Sequence, residues 1–183
     1  AEGTIEYSRT VAERMVEEEG YFMLDQFANK DNYLAHYLTT GPEIWRDTDG
    51  RITHFISSMG TTGTIMGTSR YLKERTPKVR IVGVQPSEGD NIPGIRNWSP
   101  EFLPRIYEKD RVDEIRYVSR REAAEATRRM ARDTGIFAGM SSGGVMHAML
   151  QMVREFDKPA VVVSIVCDRG DRYLSSDLFD AES

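Results

Sequence analysis

Apolar and polar positions along the chain change rhythm several times, and each change marks an element. From Thr4 to Glu19 the spacing of Val11, Ala12, Met15 and Val16 puts apolar side chains on one face of a surface helix, which Gly20 ends. Tyr21–Leu24 reads as a short strand, and Tyr33–Leu38 is helical again. Gly41-Pro42 opens another short helix, because proline suits a first helical turn. After the turn residues Asp47–Gly50, the apolar run from His54 breaks at Gly60-Thr61-Thr62-Gly63-Thr64 and becomes a helix that ends near Arg75, before Pro77.

Val79–Val84 is continuously apolar, as in a strand buried on both faces of a parallel sheet. A long irregular stretch, Gln85–Asp110, follows; its embedded Ile92, Ile95, Trp98, Phe102 and Leu103 argue for an ordered, functional loop. Ser119 with Glu122 forms a capping box, so a helix starts there and runs to Gly135. The apolar run Ile136–Ala138 meets a second glycine turn, Gly139–Gly144, and a helix carrying Val145, Ala148, Met149, Met152 and Val153. Val161–Val166 is the most apolar strand and closes on Cys167–Tyr173. Strands alternating with helices predict an α/β fold, a mostly parallel sheet flanked by helices, whose ligands bind outside the strand carboxyl ends.

The turn at Gly60 has the chemistry of an anion site. Glycines let backbone N–H groups approach a ligand, and the unpaired donors and positive dipole of a helix start favour a phosphate. It is neither G-x-G-x-x-G nor a P-loop, since no Gly-Lys-Ser/Thr follows. Gly139-Met140-Ser141-Ser142-Gly143 matches the G-x-S-x-G of a hydrolase elbow, but the only later histidine is His147, on the next helix turn. A second backbone-exposing turn is the better reading.

Composition narrows the field. The net charge is −5 and no basic stripe exists, which argues against nucleic acid as the main partner. No apolar run reaches the length of a membrane span, no signal peptide is evident, and the expectation is a cytoplasmic protein. Cys167 is the only cysteine; it follows a buried strand and is expected to pack rather than react. His36, His54 and His147 stand without partners at ligand spacing, so no metal site is expected. The chain begins at Ala1 within helix-forming sequence and without methionine, which suggests a fragment or a processed chain.

Several segments together resemble one family, the fold-type II pyridoxal-phosphate enzymes (the tryptophan synthase β-like fold), and within it the cysteine synthases, or O-acetylserine sulfhydrylases. They are Leu24-Asp25-Gln26-Phe27, Thr39-Thr40-Gly41-Pro42-Glu43-Ile44-Trp45, Gly60–Thr64, Gly139–Gly144 and Gly170–Ser175. Ile92–Trp98 and Cys167–Tyr173 resemble the B-type enzymes most.

The resemblance implies that Gly60, Thr61, Thr62, Gly63 and Thr64 hold the phosphate of pyridoxal 5'-phosphate and that Ser141 meets its ring nitrogen. It places Gln26 near the substrate carboxylate and Arg96 near an anionic sulfur donor or leaving group. It also implies β-replacement of an activated serine (O-acetylserine or O-phosphoserine) by sulfide or thiosulfate, a small-molecule amino-acid substrate, and a homodimer. A serine at the ring nitrogen does not force its protonation, which favours elimination and addition over transamination.

The family's Schiff-base lysine and substrate-carboxylate loop lie upstream of the matched part; Lys30, Lys73, Lys78, Lys109 and Lys158 are not in that context, so no catalytic lysine is assigned. The chain therefore resembles the C-terminal two-thirds, with residues 1–30 a remnant of the small N-terminal domain and 31–183 the large cofactor-binding domain. The alternatives are cystathionine β-synthase or a serine/threonine dehydratase on the same fold, or a non-catalytic binding or scaffold fragment.

Overall fold

The apolar strands at the centre of the sequence form the centre of the molecule. In the computed structural model, which describes residues 4–180, β1 (His54–Ser58) and β2 (Arg80–Pro86) pair in parallel, His54 opposite Arg80. β3 (Glu114–Val118) and β4 (Val162–Ser164) add parallel strands outside them, in the order β3-β2-β1-β4. Alternation along the strands sends side chains to two cores. Phe55 and Ile81 face α3 (Thr40–Asp47) and α4 (Gly63–Arg75), packing with Ile44, Ile65, Met66 and Leu72. Ile56, Val82 and Val84 face α5 (Arg120–Thr134) and α6 (Met140–Val153), packing with Ala123, Val145 and Ala148. Each fully buried Val, Ile, Leu, Met or Phe side chain among them is worth about 2 kcal/mol.

Local signals set the helix ends. Thr4 Oγ1 accepts from Tyr7 N at the start of α1 (Ile5–Glu19), and Gly20 ends it at φ 71°. The capping box is present: Ser119 Oγ accepts from Glu122 N while the Glu122 carboxylate accepts from Ser119 N; donation from the Ser119 hydroxyl at 2.7 Å, and then from its N–H, holds Glu122 below the usual carboxylate range. α4 stops at Thr76, whose extended backbone is what the following Pro77 requires. α2 (Asp31–Leu38) lies so close to α4 that a Cβ on Gly67 would meet Tyr33 O at 2.0 Å.

Three expectations need correction, and one strand was not expected. Tyr21–Leu24 forms no strand, and Phe22 is 88 % exposed; with no neighbouring strand to pair, an apolar run of four does not determine extended structure. Only Val162–Ser164 of the expected strand Val161–Val166 joins the ladder, and it is half-buried because it sits at the sheet edge. Cys167 is exposed instead of packed, its Sγ 3.3 Å from Ser58 Oγ. A strand, β3, follows the long loop unannounced: its charges pair laterally, Arg116 with Glu114 and Glu155, and disguise it as surface.

Candidate cofactor site

The site begins where β1 runs out. Met59 is held to the sheet by its N–H to Val84 O at 3.0 Å, and the chain then turns through Gly60–Thr62 into α4. Thr62 adopts φ 71°, a left-handed conformation costly for a β-branched residue. Thr62 is the N-cap of α4, so the helix starts directly after this turn, just beyond the carboxyl end of β1. The N-cap Thr62 makes no side-chain cap bond and no acidic residue occupies the first turn; only Gly63 N–H reaches a side chain, Thr61 Oγ1 at 3.4 Å. Thr62 Oγ1 is buried without a hydrogen-bond partner.

Neighbouring elements hold this turn in place. Asn32 Nδ2 donates to Thr61 Oγ1 at 3.1 Å and to Gln26 O at 2.6 Å, which ties the Gln26 segment to the turn. A Cβ on Gly63 would meet Asn32 Oδ1 at 1.9 Å. His36 bridges two hydroxyls behind the loop, Nδ1 to Thr40 Oγ1 at 2.9 Å and Nε2 to Thr64 Oγ1 at 3.2 Å; burial pushes its pKa below the ordinary 6.5.

The long loop after β2 joins the first turn to the second. Arg96 N–H donates to Met59 O at 2.9 Å and Trp98 Nε1 to Gly60 O at 2.7 Å. Gly94, at φ 88°, places its carbonyl where a Cβ on Gly60 would lie within 2.7 Å. Its other side faces Ser141, to whose Oγ a Cβ on Gly94 would be 3.5 Å. Ser141 is 3 % exposed, in the first turn of α6. Ser142 Oγ, next to it, accepts from Cys167 N at 3.0 Å.

Gly60, at the start of the first turn, and Ser141 thus lie on two sides of Gly94, and Gln26 is attached at the rim through its backbone, its side chain exposed. Arg96 carries its guanidinium on a nearby surface hollow, with Nη1 donating to Ile95 O at 2.8 Å and to Ile92 O at 3.3 Å. His147 takes no part: its Nε2 meets Gln151 at 2.9 Å and Glu122 at 3.5 Å on the α5–α6 face, which leaves Ser141 without a hydrolase base. Among the described residues no acidic, histidine and cysteine cluster could hold a metal ion. Sequence reasoning passed over Asn32, His36 and Gly94 as site-builders. Only Gly94 carried a local signal, the Pro-Gly pair; the other two act through contacts distant in sequence.

The donor set suits a phosphate dianion at one end and a ring at the other. An unsatisfied buried hydroxyl, a helix start whose N-cap residue makes no cap bond and glycines leaving no room for a Cβ fit the phosphate. Residues 1–168 match the family model described as pyridoxal-phosphate dependent enzyme. The chain belongs to this family.

Among curated relatives, cysteine synthase B of Pseudomonas aeruginosa is 57 % identical over 176 residues, 96 % of this chain and 58 % of the relative. Cysteine synthase B of Escherichia coli is 54 % identical over 160 residues, 87 % and 52 % of the two chains. Among solved structures, an O-acetylserine sulfhydrylase isoform 3 from Entamoeba histolytica superposes with a TM-score of 0.86 at 32 % identity, covering 96 % of this chain and 55 % of that one. The chain thus spans between half and three-fifths of the length of these relatives. The fold is fold-type II, and the parallel sheet with flanking helices agrees with the sequence expectation.

Proposed function

We propose that this chain is the cofactor-binding part of a B-type cysteine synthase, in which an activated serine, O-acetylserine or O-phosphoserine, exchanges its β-substituent for sulfide or thiosulfate. The observation that carries the reading is the buried, unpartnered Thr62 hydroxyl at the start of α4, in the same turn whose Gly60 packs on Gly94, the residue that also touches Ser141. Gly60–Thr64 would bind the phosphate and Ser141 would accept or donate one hydrogen bond at the ring nitrogen. Gln26 would stand at the substrate end, and the Arg96 guanidinium would receive an anionic donor or leaving group. Bound pyridoxal phosphate would supply the electron sink for β-elimination. Residues 1–30 would belong to a small N-terminal domain and 31–183 to the large one, the whole assembling as a cytoplasmic homodimer. No helix among the described residues is long and apolar enough to cross a membrane.

None of the five lysines stands in the family's Schiff-base motif: Lys73, for example, lies in the last turn of α4 and pairs with Asp113 at 2.8 Å. The test is therefore made on two proteins, the 183-residue chain and a chain extended to the full length of the relatives. The extended chain is expected to take up pyridoxal phosphate with a visible band and to make cysteine or S-sulfocysteine; the 183-residue chain is expected to be inactive. Turnover by the short chain, or no cofactor uptake by the long one, would overturn the reading. Homocysteine outcompeting sulfide would move it to cystathionine synthesis.

A further inference from the structure

The loop after β4 and the turn before α6 are interlocked. Gly139 N–H donates to Asp168 O at 3.2 Å and Gly170 N–H to Phe137 O at 3.0 Å, while Ala138 and Arg169 form an antiparallel bridge. Asp168 is the side chain at the centre. Its Oδ2 accepts from Tyr173 OH at 2.6 Å, and its Oδ1 is buried with no hydrogen-bond partner. That oxygen lies where a Cβ on Gly139, the N-cap of α6, would be only 2.1 Å away; the Tyr173 ring would be 2.6 Å from the same Cβ. Arg169, the adjacent cation, is taken by Asp171 at 2.9 Å, and no ion pair joins Asp168 to a described residue.

A buried carboxylate oxygen without a partner is expensive unless something compensates it. Here the positive end of α6 does so, because a carboxylate at a helix start is favoured by the dipole. Tyr173 then fixes which way the carboxylate faces. Burial and the Asp168 hydrogen bond push the tyrosine up to about 12, so it stays a donor over the whole physiological range. The two side chains clamp Gly139, and Ser141 is two residues further along the same helical turn.

We propose that Asp168 and Tyr173 are a positioning pair that fixes the first turn of α6 and so aims Ser141 Oγ at the ring of the bound cofactor. This rests on the reading of the site given under Proposed function. The pair is expected to act on the ring end only, since the phosphate end is held by α4 and Asn32.

Tyr173→Phe, Asp168→Ala, Asp168→Asn and the Tyr173→Phe/Asp168→Ala double variant are made in the chain extended to the length of its relatives. Pyridoxal phosphate affinity, the visible absorption of the bound cofactor and its ³¹P resonance are then read. Tyr173→Phe and Asp168→Ala are each expected to weaken binding about tenfold, the loss of one charge-assisted hydrogen bond, and to shift the visible band while the ³¹P resonance stays in place. Asp168→Asn keeps an acceptor for Tyr173 and should lie closer to the parent. The double variant should be no worse than either single one. Circular dichroism of the cofactor-free forms verifies folding; should Tyr173→Phe not fold, the contrast of Asp168→Asn with Asp168→Ala decides. An unchanged visible band, additive losses, or a ³¹P shift that follows the band would overturn the inference. A parent protein that takes up no pyridoxal phosphate would instead overturn the underlying reading.

Discussion

The chain has two glycine turns that feed helices, and they have been put to opposite uses. At α4 the helix start carries no acidic side chain, its N-cap hydroxyl is buried and unpaired, and the nearest side chain to Gly63 is the neutral amide of Asn32. At α6 the corresponding place is filled by the protein's own Asp168 carboxylate, and Ser142 is already bonded to Cys167 N. One helix start carries no acidic group of the protein, and the other has a carboxylate against its N-cap, where the dipole favours it. A glycine turn at a strand end therefore says only that an anion can be held; which neighbour supplies charge determines whether a ligand is needed.

The comparison breaks most severely where each helix meets its supporting helix. Gly67 of α4 lies against Tyr33 O, and Gly143 of α6 against Ala123 O, where a Cβ would come within 2.0 and 2.4 Å of backbone oxygens. Backbone cannot step aside as a flexible side chain can. Gly67→Ala and Gly143→Ala are each expected to destabilise the fold by about 3 kcal/mol, read as a lowered urea midpoint with unchanged slope. Midpoints within experimental error of the parent would mean that the helix pairs are looser than described.

The next contrast has a difference of sign. Thr62→Val removes a buried hydroxyl that has no partner, so the cofactor-free protein should gain up to about 1 kcal/mol. The same change should weaken pyridoxal phosphate binding in the extended chain about tenfold. Ser142→Ala removes an acceptor that is in use and should lose about 1 kcal/mol. Urea melts of the cofactor-free forms, paired with cofactor titration, check both; Thr62→Val destabilising the free protein would sink the claim that this hydroxyl waits for a ligand.

What sequence could reveal divides along the same line. β1, β2, α4, the capping box at Ser119 and both glycine turns were legible because short-range rules govern them: apolar runs, helix caps and proline stops. The sites joined by side chains far apart in sequence were not. Asn32 reaches Thr61 across 29 positions and His36 reaches Thr64 across 28, and no periodicity encodes such a contact. β3 was hidden for a different reason, since edge strands replace the apolar signature with paired charges such as Arg116 and Glu155. Cys167 was misjudged because burial of a strand was taken to extend past its last residue, whereas β4 ends at Ser164 and its edge is open.

The smallest effect separates the two sides by pH. Burial lowers the pKa of His36 behind the α4 turn, so the unfolded chain binds its proton more readily than the folded one below the ordinary value of 6.5. Its contribution is complete above that value and declines as pH falls through 6.5 towards the folded pKa. His54, lowered by burial and by Arg80, adds a loss of the same sign in the same window. On the α5–α6 side Glu122 is depressed by its Ser119 hydrogen bonds, so its contribution is present above the ordinary 4.5 and is lost only as pH drops below it. His36→Gln should therefore flatten the urea midpoint between pH 7.5 and 5.5 without abolishing the slope that His54 retains. Glu122→Gln should leave that window untouched and flatten the decline below pH 4.5. An unaltered slope in His36→Gln would mean that the imidazole bridging Thr40 and Thr64 is as well solvated when folded as when unfolded, and the α4 turn would lose its supposed dry backing.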